Sequence, residues 1–341
     1  MSTLDSRGTA IVRPDAGLVL ATSPQLLTEF VAQRVLPTFE VAVAHGAMPI
    51  HVGDRRVYSA KRAPDGSFLR IFTEVKGDTY TCTEAGVEIP LFDADVKIYL
   101  ERSAAEAHKA MQAARSLLIA REVAAAALLF STTTFDAAHR VTIAGAAEWD
   151  TAAGKALDNL EAAIGNVEDR GFDRANFALV IPSKTLRALS RNAQMIAQAR
   201  GIPAYANLGA DAIPGLIPGS VLSALLGIRE VIVARGVKDT SNRAKPSVLS
   251  QIWDADMCLI AHVSAVENPD VALGHTFISP QGMDRSILSA AGDVTADPTL
   301  AFLVDSYRDE PRTADIIRAR EQIDQKVTNV DAGCLITNCL A

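Results

Sequence analysis

From Ser103 to Phe130 the chain reads SAAEAHKAMQAARSLLIAREVAAAALLF, with no glycine or proline in the run. At 1.5 Å per residue, about 28 residues make one unbroken helix of roughly 42 Å. Ser103 and Glu106 have the spacing of an S-x-x-E capping box and predict the helix start there. Met111, Ala114, Leu118, Ala125 and Leu129 line one stripe, and Ala110, Leu117, Ala124 and Leu128 a second. The small alanines let other backbones approach closely. The mean globular helix is about 11–12 residues, so this one reads as a spine for the rest of the fold.

The segments before the spine are of another kind. Residues 1–45 show no clean period and read as an extended arm with one short helix, Pro24 to Val35, stopped by Pro37. Residues 50–91 look like β structure without a helix. RVYSAKR and FLRIFTEV alternate in period two around the turn APDG, Ala63 to Gly66. Phe68, Arg70, Phe72 and Glu74 share one face, and Arg56, Lys61, Arg62 and Lys76 add charge to the two strands. A two-stranded hairpin cannot bury both faces and is marginal alone, so it needs a surface within the chain or on a neighbour.

After the spine the pattern turns α/β. Leu157, Leu160, Ile164 and Val167 predict a helix closed by Gly171, and NFALVIP a short buried strand. SKTLRALSRNAQMIAQARG predicts one amphipathic helix with Ser183 as its N-cap. LLGIREVIVARG compresses a helix end, a tight turn and a strand, and MCLIAHV supplies another strand after the polar loop GVKDTSNRAKP. Residues 146–264 thus read as a compact sheet flanked by helices. The remainder returns to β character in ALGHTFIS and in a long charged run from Asp315, which is not helix-periodic and has a turn signal at Asp331–Gly333.

Chemistry is hard to find in this chain. A net charge of −7 over 341 residues argues against a surface that grips phosphates tightly, without excluding one that encloses nucleic acid. There is no G-x-G-x-x-G after a strand, no Walker loop, no H-E-x-x-H and no G-x-S-x-G elbow. GLIPGS, Gly215 to Ser220, includes Pro218, which lacks the amide a phosphate loop uses. Cys258 and His262 lie four apart on one predicted strand, about 13 Å at 3.3 Å per residue, too far for a nucleophile and its base. WDADM puts Asp254 and Asp256 on one strand face, where they suit a metal or acid–base work but more often solvate a strand end. The mixed-sign run from Ser306 to Glu321 fits a solvated face or ion pairs between identical subunits. Cys82, Cys258, Cys334 and Cys339 read as reduced, buried thiols, and CLITNC offers at most half a metal site. No catalytic residue, cofactor site or metal site is expected. With no signal peptide and no apolar run long enough to span a bilayer, a soluble protein made inside the cell and free of membrane is expected.

The order of elements resembles the major capsid protein of tailed bacteriophages, the Hong Kong 97 fold, over nearly the whole chain from about residue 24. The central EWDTAAGKALDNLEAAIGNVEDRGFDRANFALVIPSKTLRALSRN is similar to that family's helix, strand and helix. LLGIREVIVARG, the later VLSQIWDADMCLIAHV, GHTFIS and the closing YRDEPRTADIIRAREQID and DAGCLITN resemble further family segments. The resemblance implies an α+β fold with an N-terminal arm (1–45), an extended hairpin loop (46–101), and a peripheral domain of spine helix (102–145) and return strands (265–341). It implies an axial α/β domain at 146–264. It also implies pentamers and hexamers that build an icosahedral head in the virion, made in the host bacterial cytoplasm and enclosing double-stranded DNA without sequence-specific binding. A portal, a separate scaffolding protein and, optionally, a decoration protein are the implied partners. Some members cross-link subunits through Lys–Asn bonds; Lys61 and Lys76 are the candidate donors in the hairpin, but neither a partner asparagine nor an assisting acid is matched, and no cross-link is asserted. An encapsulin-like compartment shares the fold. An α/β small-molecule enzyme using Asp254, Asp256 or His262 is the remaining alternative.

Overall fold

The computed structural model describes residues 11–12, 29–51, 66, 75–99, 102–151, 153–201, 217–242, 245–264, 271–279 and 303–341. The elements begin with β1 (Ile11–Val12), α1 (Ala32–Val35), β2 (Thr38–Glu40), β3 (His45–His51), β4 (Val75–Thr81), β5 (Thr83–Phe92) and α2 (Asp93–Val96). The spine α3 (Arg102–Leu129) follows, then β6 (Arg140–Thr142), α4 (Ala156–Glu168), β7 (Phe177–Pro182), α5 (Ser183–Arg191) and α6 (Ala193–Ala199). Next come α7 (Gly219–Leu226), β8 (Glu230–Ala234), β9 (Val237–Asp239), β10 (Leu249–Gln251) and β11 (Met257–His262). The chain closes with β12 (Gly274–Ile278), β13 (Leu303–Asp309), β14 (Ala314–Val327) and β15 (Gly333–Thr337). Among the described residues, no helix is long and apolar enough to cross a membrane.

Two sheets share the spine. In the first, the 14-residue β14 pairs with β5 along one edge and with β13 and then β12 along the other. Ile317 and Ala319 of β14 and Leu91 of β5 pack on Ala110, Ala113, Ala114, Leu117 and Leu118 of α3. Backbone approach over those alanines is what the sequence predicted. The second stripe fails in its last turns: Ala124 is exposed and Leu128 half-buried, because the helix there turns Ala125, Ala126 and Leu129 toward the other sheet.

That second sheet runs β6-β15-β11-β7-β8. Its three interior strands, β15, β11 and β7, are buried on both faces, which explains runs such as FALVIP that do not alternate. Phe177, Leu179, Ile181, Cys258, Ile260 and Ile336 face α4, α5, α6 and α7. Ala178, Val180, Ile232, Leu259, Ala261 and Leu335 face the spine's last turns and residues 31–36 of the arm. β6 and β15 fall outside the expected 146–264 unit yet are hydrogen-bonded into its sheet. The reason is physical: Gly333–Thr337 is buried along its whole length, and an interior strand position covers both its faces.

Three further expectations need correcting. The predicted single helix from Ser183 is two, broken at Asn192, whose Oδ1 caps α6 by accepting from the Gln194 amide at 3.0 Å. Its Nδ2 donates to the carbonyls of Trp149 and Gly154 at 3.2 and 3.0 Å, so the break serves a neighbouring loop. Pro182, not Ser183, is the N-cap of α5. The polar loop 236–246 includes β9, which pairs with β10 as a short ribbon. In the arm, residues 24–28 of the Pro24–Val35 helix lie outside the described residues; Glu29 is helical, Phe30 and Val31 are not, and Ala32–Val35 form α1. By contrast LLGIREV folds as its composition dictates. Gly227, at φ +63°, ends α7 in the left-handed region that glycine enters without penalty.

Candidate functional site

The residues that suggested catalysis do not converge. Asp254 and Asp256 sit in the turn ahead of β11, not on a strand face. The Asp254 Oδ1 accepts from the Asp256 amide at 3.0 Å, and the Asp256 Oδ1 from the Leu340 amide at 2.8 Å. Both carboxylates are therefore spent on backbone. His262 is 4 % exposed, between Phe172 and Phe177 at ring distances of 5.3 and 6.1 Å, and burial lowers its pKa. Cys258 packs instead against Cys339, sulfur to sulfur 3.7 Å, and burial pushes its thiol well up. All four cysteines are free and buried; burial raises Cys82 and Cys334 to about 11. Among the described residues no group of three or more metal-ligating side chains comes together. Of GLIPGS, Pro218 is the N-cap of α7, and residues 215–216 lie outside the described residues.

The mixed-sign run resolves into cross-strand pairs inside one chain. Asp305 lies directly opposite Arg318, which holds it through two bonds of 2.8 and 2.7 Å, and Arg308 opposite Asp315 at 3.3 Å. Arg308 also grips Asp93 through bonds of 2.8 and 2.6 Å, holding that carboxyl below its ordinary range. These pairs tie the β13–β14 hairpin to the segment that enters the spine.

Two polar and aromatic junctions, neither foreseen, hold the parts of the chain together. The first is at the middle of the spine. Glu122 is fully buried, yet its carboxylate accepts from the amides of Val31 (3.1 Å) and Ala32 (2.8 Å) and from Trp253 Nε1 (2.6 Å). Val31 and Ala32 open α1, so a side chain from another helix satisfies amides that a helix start leaves orphaned. Burial raises the Glu122 pKa, and those three donors work against the rise. Its neighbour Arg121 forms a buried ion pair with Glu321 of β14. Arg115 with Glu29, at 2.8 Å, and Arg34 with Glu230 complete the docking of the arm. The clue in the sequence was an Arg-Glu pair inside an Ala/Leu helix, at positions where the stripes predicted apolar residues.

The second junction is the base of the extended hairpin. β3 and β4 pair from His45↔Thr81 to His51↔Val75. RVYSAKR with Lys61, and all of FLRIFTEV except Val75, lie outside the described residues; Lys76 stands opposite Ile50 in the register. Tyr80 stacks on Phe277 (5.3 Å, 14°), and Phe39 meets Phe277 edge-on at 5.6 Å. Tyr80 also lies over Gly46, where a Cβ would come within 2.5 Å of its hydroxyl oxygen. The Thr81 amide donates to Asp324 at 2.9 Å, and Lys326 pairs with Asp78 at 2.8 Å. At its base, the support the hairpin required comes from β12 and β14 of its own chain.

No family model matches the sequence, and no curated protein matches it. Solved structures do. A phage-related protein from Bordetella bronchiseptica superposes with a TM-score of 0.68 at 17 % identity, over 97 % of this chain and 98 % of that one. The capsid structure of the cyanophage P-SCSP1u gives 0.56 at 11 %, over 99 % and 92 %. The holo-SrpI encapsulin complex from Synechococcus elongatus gives 0.52 at 13 %, over 93 % and 90 %. The chain has the α+β, Hong Kong 97-type capsid fold.

Proposed function

We propose that the chain is a structural, shell-forming protein: the major capsid subunit of a tailed-phage head. In this reading it assembles through pentameric and hexameric rings into an icosahedral shell around double-stranded DNA, and has no catalytic role. The observation that supports it most is end-to-end correspondence of fold with capsid and encapsulin structures, rather than a shared domain. Closed shells from one chain need heterologous contacts that form rings, and rings that then join. A two-sheet body with the β3–β4 ribbon braced against it and a docked arm suits that demand. Residues 102–145 with 265–341 form the peripheral domain in this reading, and 146–264 the axial domain, with β6 and β15 contributed to the axial sheet. A separate scaffolding protein, a portal and, optionally, a decoration protein are the partners, and the virion is the location.

An encapsulin-like compartment is the second reading, because an encapsulin superposes almost as well as a phage capsid. Native mass spectrometry and electron microscopy of the recombinant chain, with and without the products of neighbouring genes, test the shell. Pentamers, hexamers or closed particles are expected. A persistent monomer in every combination would overturn the reading. Nucleic acid inside natively purified particles selects the phage, and an enclosed enzyme the compartment.

A further inference from the structure

The chain is acidic overall, at −7, but one helix face is basic and unpaired. On α5, Lys184, Arg187 and Arg191 follow spacings of three and four and so share a face. They extend roughly 10 Å along the axis at 1.5 Å per residue. All three are exposed, and among the described residues none has an ion-pair partner. Many other arginines are paired, including Arg34, Arg102, Arg115, Arg174, Arg308 and Arg318. The three cations border an open groove of about 470 Å³ whose wall includes Trp149, Asp150 and Leu340. Trp149 is 1 % exposed and forms the apolar floor beside these cations. The one carboxylate in the wall, Asp150, already accepts from the Ala341 amide at 3.1 Å.

We propose that this groove binds phosphate groups, and specifically successive phosphates of a nucleic-acid backbone. Two guanidinium forks and an ammonium call for an anion rich in acceptor oxygens. A single small anion would meet only part of a 10 Å row. Phosphates of one strand advance about 3.4 Å each along a duplex axis while winding around it, so a row of this length reaches more than one of them. Three contacts on an acidic body give weak, salt-sensitive attachment, which lets a polymer move. The choice of a nucleic-acid backbone over free phosphate rests on the shell reading above.

The test measures binding of a duplex of about 20 base pairs, of inorganic phosphate and of poly-glutamate to the full chain between about 50 and 200 mM salt. The variants are Lys184→Gln/Arg187→Gln/Arg191→Gln and, removing equal charge elsewhere, Lys97→Gln/Arg235→Gln/Lys245→Gln. Circular dichroism checks that both fold. With three contacts, the groove variant should flatten the slope of log K against log salt by about 2.7, and the other variant should bind as wild type does. Equal loss in both variants, or poly-glutamate held as tightly as the duplex, overturns the site. Groove-dependent phosphate binding without duplex binding overturns the nucleic-acid assignment in favour of free phosphate. Electron microscopy of the same samples reads assembly separately: shells that form without groove-dependent binding defeat this proposal and leave the shell reading standing.

Discussion

A carboxylate in the middle of an alanine-rich helix is an expensive choice, and Glu122 shows what it secures. Its oxygens serve two adjacent amides of the arm and the indole of Trp253, partners that lie far from it on either side in sequence. Truncating it would strand three buried donors, each costing about 1–3 kcal/mol when left unmade. Glu122→Ala should therefore lower unfolding free energy by roughly 3–5 kcal/mol, read by denaturant titration. Glu122→Gln, which keeps the shape and one acceptor oxygen, should lose less. Hydrogen exchange supplies the more specific readout, because the Val31 and Ala32 amides should lose protection in both variants before the sheets do. Unchanged exchange there would show that the arm is held by its apolar contacts alone. None of this was legible beforehand, since composition and period treat Glu122 as an intrusion into a stripe, and its partners come from residues 31–32 and 253.

At the scale of elements, legibility followed the range of the forces involved. The spine, β7, α4 and the α7–Gly227–β8 corner were readable because local period, turn chemistry and propensity all agree there. The break at Asn192 was not, because the side chain that caps α6 also reaches the carbonyls of Trp149 and Gly154, 43 and 38 residues away. Nor was the destination of β15, since a strand buried along its whole length suits the interior of either sheet. The hairpin base lies between these cases: its need for support followed from its two faces, but the supporter, Phe277, did not. There the Gly46–Tyr80 contact is decisive, with the ring held between a glycine and Phe277. Gly46→Val should displace Tyr80 and cost about 1–3 kcal/mol, as overpacking commonly does. In a Tyr80→Ala background the same substitution should cost far less, so thermal melts of the four proteins should give a large coupling energy. Additive effects would mean that the ring does not pin the hairpin.

Across the whole molecule, the two sheets each bury a histidine that must stay neutral. His262 lies on the sheet β6-β15-β11-β7-β8, and His275 on β12, 2 % exposed and near Phe39 and Phe277 at 5.8 and 6.3 Å. Burial lowers both pKa values from 6.5; a carbonyl near each, and Asp173 near His262, only partly oppose it. A depressed histidine gives stability that is complete above 6.5 and is lost as pH falls toward the folded-state value, because the unfolded chain takes up the proton first. The slope is at most about 1.4 kcal/mol per pH unit for each histidine. Glu122 and Glu321 act in the opposite sense: burial raises them above 4.5, so their contribution is greatest at low pH and is lost as pH rises through their folded values. A raw melting profile mixes the two effects, but comparison with His262→Phe/His275→Phe at each pH cancels the glutamates. Unassembled wild-type protein should lose melting temperature between pH 7 and 5.5 faster than the double variant, and the single variants should fall between. Parallel profiles would show that neither histidine titrates across unfolding. A convergence from His275→Phe alone would confine acid sensitivity to the sheet that supports the hairpin, leaving the sheet with His262 indifferent to pH.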